Sequence, residues 1–184
     1  MFSQSLRRRV LRRVGVPAAA VALALGLGVV VTTTPAAASG SFTGRAYIYG
    51  EGSLIGDLDD EGVVNVATHR SSNVTCLWQT ILWADGYLPA SAIDGVFGDQ
   101  THAATVRWQR GRGLTGDGSV GRQTFAKAGQ KLRDDGPSND GHRYGIYDGS
   151  RHYLGIRRPT TRGNWMFDTP HDYNIPAAYN RKTC

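Results

Sequence analysis

The sequence predicts a mainly α fold, a three-helix module flanked by short β segments, with the C-terminal segment packed on the first helix. Three observations lead there. The turn Asp-Gly-x-apolar-Gly-x-Gln-Thr is written twice, at Asp94–Thr101 and at Asp117–Thr124. Each copy follows a Trp-Gln pair, Trp78-Gln79 and Trp108-Gln109. Ahead of the first copy, Val74, Leu77, Trp78, Ile81 and Leu82 recur at the spacing of a buried helical stripe. Helix, turn and helix start repeated in so short a span mark a small duplicated unit.

The first residues read as an export signal covering 1–38. Arg7, Arg8, Arg9, Arg12 and Arg13 form a positive stretch, Pro17 to Val31 is apolar, and Ala36-Ala37-Ala38 supplies small residues for cleavage. The arginines also resemble a twin-arginine signal, leaving both export routes open. The whole chain carries 21 Lys+Arg against 15 Asp+Glu. Five of those cations lie in the signal and no acid does, so the exported chain is close to neutral. Net basicity therefore gives no argument for nucleic acid as a partner. No membrane association is expected once the signal is removed.

Four regions follow: 1–38 as signal, 39–72 as an N-terminal extension, 73–133 as the helical module, and 134–184 as a β-rich aromatic extension. Ser39 to Thr43 is small and polar and reads as disordered. Gly44 to Gly50 and Val63 to Val66 have the composition of short strands. The first helix begins at Asn73 as its N-cap and ends at Gly86, with Pro89 blocking continuation. A second helix spans about Asp99 to Arg110, and a third about Arg122 to Leu132. In each turn the Asp (Asp94, Asp117) folds onto backbone N–H groups and the first Gly (Gly95, Gly118) accepts positive φ. The second Gly (Gly98, Gly121) lets the chain enter the next helix without a Cβ clash, and Thr101 and Thr124 complete the two turns. Asp134 to Gly141 reads as a linker. Arg143–Asp148, His152–Arg157 and Asn164–Phe167 read as strands, the first two joined by a hairpin at Asp148-Gly149-Ser150.

Cys76 and Cys184 are the only cysteines. In an exported chain such a pair predicts a disulfide. At 100° per residue, Cys76 and Trp83 fall on the face of the first helix opposite its apolar stripe. A Cys76–Cys184 bond would draw the tail over that face, and Trp83 is expected to be covered by it.

The pattern from Trp78 to Ala128 resembles the peptidoglycan-binding domain family, small three-helix modules attached to many bacterial cell-wall hydrolases. The residues that carry the resemblance are Trp78-Gln79, Gly86-Tyr87, the two turns, Ala104, Trp108-Gln109 and Gly113-Leu114, in the family's order. Trp78 stands where the family has Leu, Thr105 where it has Val, and Ala128 where it has a large apolar residue. The resemblance implies a cell-wall glycopeptide as ligand. Its motif residues are turn and core residues, so they define a fold and not a binding surface.

Catalytic and metal signals are weak. Asp57-x-Asp59-x-Glu61-Gly62 matches the first half of a calcium loop, but Thr68 occupies the closing position that needs Glu, so a solvated acidic turn is expected. His69, His102, His142, His152 and His171 show no metal-ligand spacing. No G-x-S-x-G elbow occurs. The expectation is therefore an exported or cell-wall-associated, non-enzymatic binder of peptidoglycan, without metal or cofactor, acting alone or beside a separate cell-wall enzyme. Trp83, Tyr87, Arg107 and Arg110 are its candidate ligand-binding residues, being aromatic and cationic positions off the buried stripe. Two other readings stay open: a small secreted hydrolase or peptidase built on His142, His152 and His171, and an interaction or inhibitor protein using the module as a scaffold.

Overall fold

The computed structural model describes residues 44–184, all within one compact unit. The expected export signal at 1–38 and the polar stretch at 39–43, expected to be disordered, lie outside the described residues. Among the described residues three α-helices occur, α1 (Asn73–Ala84), α2 (Asp99–Gly111) and α3 (Arg122–Gly129), with a short 3-10 turn at Ala90–Ala92. Seven strands accompany them: β1 (Tyr49–Glu51), β2 (Leu132–Pro137), β3 (His142–Asp148), β4 (Tyr153–Pro159), β5 (Arg162–Asn164), β6 (Met166–Phe167) and β7 (Ile175–Pro176). Five form one antiparallel sheet in the order β2-β3-β4-β6-β7, and β1 pairs with β5. Strand and helix are present in equal shares, so the fold is mixed α and β and not mainly α. Long-range pairing of segments that are each short in sequence is what local periodicity failed to weigh.

Several local expectations are corrected by tertiary contacts. Ser72, not Asn73, caps α1, its hydroxyl accepting from the Thr75 N–H at 3.1 Å. Asn73 instead binds the tail: its amide oxygen accepts from the Thr183 N–H at 2.7 Å, and its own N–H reaches the Arg181 carbonyl. The third helix stops at Gly129, and the supposed linker is strand β2, paired with β3. A bulge between Asp134 and Gly136 absorbs the Asp-Asp-Gly run that composition marks as a breaker. Val64 makes only an isolated bridge to Val120.

Cys76 and Cys184 form a disulfide, with Cα atoms 6.5 Å apart. The tail crosses the start of α1 at Asn73 and therefore does not reach Trp83. His152, just after the β3–β4 turn, covers Trp83, the two rings lying parallel with centroids 4.3 Å apart.

The two D-G turns are each held by the glutamine of the preceding Trp-Gln pair. Gln79 is buried. Its Oε1 accepts from the N–H groups of Asp94 and Gly95, and its Nε2 donates to Asp94 Oδ1, Val96 O and Thr101 Oγ1. Gln109 repeats the clamp with Gly118 N–H, Asp117 Oδ1, Ser119 O and Thr124 Oγ1. Gly95 and Gly118 have φ of 68° and 71°. Gly98 and Gly121 are extended helix caps, and a Cβ on Gly98 would meet open space, so no clash is avoided there.

The helical core centres on Trp78, which meets Trp108 and Phe125 edge-on at 5.1 and 5.9 Å. Two departures from the family pattern explain one another. The indole N–H of Trp78 donates to Thr105 Oγ1 at 2.8 Å, so the larger ring brought a donor and the threonine supplies its acceptor.

The acidic loop at 57–62 is solvated only at Asp59 and Asp60, and its other two acids are buried. Asp57 is 8% and Glu61 1% exposed. Asp57 Oδ2 accepts from Arg158 Nε at 2.9 Å and from Trp165 Nε1 at 2.8 Å, and the Arg158 guanidinium also donates to the Gly52, Ser53 and Pro159 carbonyls. Gly50 is required beside it, since a Cβ there would overlap the Asp57 carboxylate. Glu61 accepts from the Tyr179 hydroxyl at 2.6 Å and the Tyr49 N–H at 3.2 Å. Asp57 and Glu61 thus face inward while Asp59 is exposed, whereas a calcium loop needs all three converging on an ion.

Two predictions follow from these contacts. Gln79→Ala leaves buried N–H groups unpaired and should cost about 2–4 kcal/mol in urea unfolding; a loss below about 1 kcal/mol would mean the turn holds without its clamp. Burial raises the Glu61 pKa to about 7 against 4.5, with the Tyr179 bond opposing. The protonated form therefore favours the fold, and that stability is present below pH 4.5 and lost as pH rises through 7. Glu61→Gln should remove about 3 kcal/mol of pH dependence across this window, measured as the difference between its urea midpoints and those of the parent chain.

Candidate ligand-binding groove

Asp85 follows the last residue of α1 as its C-cap, and its carboxylate is buried. Helix α2 brings Trp108 and Arg112 to it, with Trp108 Nε1 2.7 Å from Oδ2. The Tyr147 hydroxyl on β3 donates to the same oxygen at 2.6 Å. Oδ1 receives Lys131 Nζ at 2.8 Å, the Ser150 N–H at 2.9 Å and the Ser150 hydroxyl at 3.1 Å. Burial by itself would raise the Asp85 pKa, but the bonds from Lys131, Tyr147, Trp108 and Ser150 outweigh it and hold the carboxyl well below the usual range. The burial of Tyr147 and the adjacent Asp85 charge push that phenol well above its ordinary value. The carboxylate stays ionised and has no oxygen to spare for a proton-transfer role.

A cleft of about 600 Å³ opens above this cluster, lined by Asp85, Gly86, Tyr87, Gly111, Arg112, Ser150 and Arg151. Its walls are the ends of α1 and α2 and the β3–β4 turn. Gly86, at φ 82°, is needed for both its conformation and its space, since a Cβ would strike the Arg151 side chain. Gly111 likewise leaves room for the Tyr87 hydroxyl. Among the described residues, Arg107, Arg110 and Arg151 are exposed and make no ion pair.

The four sequence-selected residues divide among different surfaces. Tyr87 lines the cleft, and Arg107 sits beside it, donating to the Tyr87 carbonyl at 3.3 Å. Arg110 lies against Gly116, toward the second turn. Trp83 belongs to a neighbouring groove with His152. Sequence reasoning missed Asp85, Arg112, Ser150 and Arg151. The only local hint was position: Asp85 precedes the Gly-Tyr helix end, and Ser150-Arg151 closes the hairpin turn.

The segment that builds two walls of the cleft contains both clamped turns. Residues 72–127 match the family model described as "Putative peptidoglycan binding domain". That match covers α1, α2 and most of α3, and stops before the segment that supplies Lys131, Tyr147, Ser150 and Arg151. No curated protein and no solved structure matches the chain.

The histidine cluster of the hydrolase reading is not assembled. In the β3–β4 register His142 stands opposite Pro159, whereas His152 lies at the turn end, about 20 Å away at strand rise. His142 approaches Asp140 at 3.5 Å, and His171 approaches the Ala90 carbonyl. Among the described residues no helix is long and apolar enough to cross a membrane, and no group of three His, Cys, Asp or Glu could hold a metal.

Replacing Asp85 tests how far the module depends on the sheet. Asp85→Asn would leave Lys131 and Arg112 without their counter-charge and should destabilise the chain by about 3–5 kcal/mol. Chemical unfolding followed by tryptophan fluorescence reads this out, and a change under 1 kcal/mol would show that the cluster is dispensable.

Proposed function

We propose that this is an exported, non-catalytic protein that holds bacterial peptidoglycan in the cleft between the duplicated module and the β3–β4 turn. The observation that carries the reading is the placement of Arg107, Arg112, Tyr87 and Arg151 around an open cleft walled by a segment that matches a peptidoglycan-binding family. Stem peptides end in carboxylates and carry amides along their length. Guanidinium groups bind carboxylates through paired N–H donors, and Tyr87 adds an apolar face with a hydroxyl tip. The non-catalytic reading is supported by Asp85, whose charge is spent on structure, and by the separation of His142 from His152. A cell-wall or extracellular location agrees with the ligand and with the signal-like 1–38 segment, and a separate cell-wall enzyme would be a natural companion.

Retention on insoluble sacculi tests this. The secreted chain should pellet with sacculi at moderate salt, and Arg107→Glu/Arg151→Glu should reduce the bound fraction at least 5-fold while leaving circular dichroism unchanged. No retention of the parent chain, or release of soluble muropeptides by it, would overturn the reading.

A further inference from the structure

A second groove, of about 440 Å³, adjoins the cleft and shares Arg151 with it. Its other walls come from β4, the loop before β7 and the outer face of α1, and lie largely outside the family-matched segment. Tyr153 and Tyr173 line it and are 70% and 73% exposed, while the tryptophans of the core, Trp78, Trp108 and Trp165, are fully buried. Trp83, stacked under His152, forms the floor of the same groove. Two large aromatic faces left in water at one place are costly in an isolated fold and useful to a ligand.

The polar lining is fixed in place. The loop carrying Tyr173 is tied by Thr169, whose hydroxyl accepts from the N–H groups of His171 and Asp172, while the Thr169 N–H reaches the Asp172 carbonyl. Asp168 Oδ1 accepts from the Asn174 N–H at 2.9 Å. Asp168 Oδ2 accepts no hydrogen bond among the described residues and lies over Gly155, where a Cβ would come within 2.7 Å of it. A rigid carboxylate oxygen beside exposed aromatic faces repels anions and favours neutral ligands that donate hydroxyl or amide hydrogens. A pyranose ring has both properties: axial C–H groups that pack on an aromatic face, and hydroxyls around its rim. The volume falls in the range of about 300–1,000 Å³ for small-molecule sites.

We propose that this groove is a saccharide subsite that binds the N-acetylated glycan strand, with sugar rings stacked on Tyr153 and Tyr173 and their hydroxyl or acetamido hydrogens donated to Asp168 Oδ2. The ligand identity rests on the reading above, whereas the groove and its chemistry do not. The cationic cleft and the aromatic groove then take chemically different parts of one polymer, and Arg151 marks where the peptide leaves the strand.

A soluble β-1,4-linked N-acetylglucosamine hexamer, titrated into the secreted chain and followed by two-dimensional NMR, tests the subsite. Saturable shifts should appear at residues 152–155 and 168–173, and Tyr153→Ala/Tyr173→Ala should weaken binding at least 10-fold with the rest of the spectrum unchanged. Asp168→Asn would lose the groove oxygen but keep the rings, and should weaken binding several-fold. Absence of binding, or equal binding by the double-tyrosine variant, would overturn the subsite even where sacculi still retain the parent chain. Hexamer binding without retention on sacculi would uphold the subsite and reject the cell-wall reading.

Discussion

The buried carboxylate of Asp85 is the point at which the helical module and the β extension become one structure. Asp85 is the C-cap residue of α1 through its backbone N–H. Its carboxylate takes the indole N–H of Trp108 on α2, the guanidinium of Arg112 just after α2, and Lys131, Tyr147 and Ser150 from the sheet side. Such a charge is tolerable inside a protein only when fully paired and hydrogen-bonded, so each of these partners is constrained by the others. The consequence is positional. The β3–β4 turn is fixed against the ends of α1 and α2, and the cleft exists because those three elements meet there.

Buried acids also tie down the N-terminal side, Asp57 with a paired cation and Glu61 with neutral donors alone. Asp57 is held by Arg158 and Trp165, and Glu61 by Tyr179 and the Tyr49 N–H, so residues 49–62 are tied to the C-terminal strands through two further buried acids. The family-matched module is thereby wrapped by segments from both sides of it in sequence, and the disulfide from Cys76 to Cys184 secures the tail. A bridge closing so long a loop contributes about 4–5 kcal/mol in the chain-entropy model, with native strain subtracting from that. The wrapping gives the module a wall it would lack alone. Arg151 and Ser150 reach the cleft from the hairpin, and Tyr153 and Tyr173 extend it into the aromatic groove.

This arrangement separates scaffold from surface. The clamping glutamines Gln79 and Gln109, the Trp78–Thr105 pair and the glycines at Gly95 and Gly118 are internal, and each satisfies a backbone or core requirement. Arg107, Arg151, Tyr153 and Tyr173 are exposed where the module meets the C-terminal extension. Chemistry that could recognise a ligand therefore sits at the junction and on the extension, and the repeated motif contributes by holding the junction's helices in register.

The helices and both turns were legible in the sequence because their causes are local: a 3.6-residue apolar period, glycine at positive φ, and aspartate bonding two residues ahead, as Asp94 does to the Val96 N–H. The disulfide was legible from cysteine number and the expected export. Strands β3, β4 and β6 and the β3–β4 hairpin were legible too, but the five-stranded sheet was not, because β2 and β7 join it through pairings such as Leu132 with Tyr147 that local composition does not reveal. Of the candidate site, Tyr87 and Arg107 were found as off-stripe polar and aromatic positions, but their meeting with Arg112 and Arg151 depends on how the hairpin docks. The acidic loop was misread because acids close in sequence look solvated, and only Arg158, Trp165 and Tyr179, each about a hundred residues later, turn Asp57 and Glu61 inward. Sequence determined the module and its turns, since short-range geometry dictates them. Tertiary structure decided the mixed fold, the buried charges and the groove, since each arises from desolvation and pairing between distant segments.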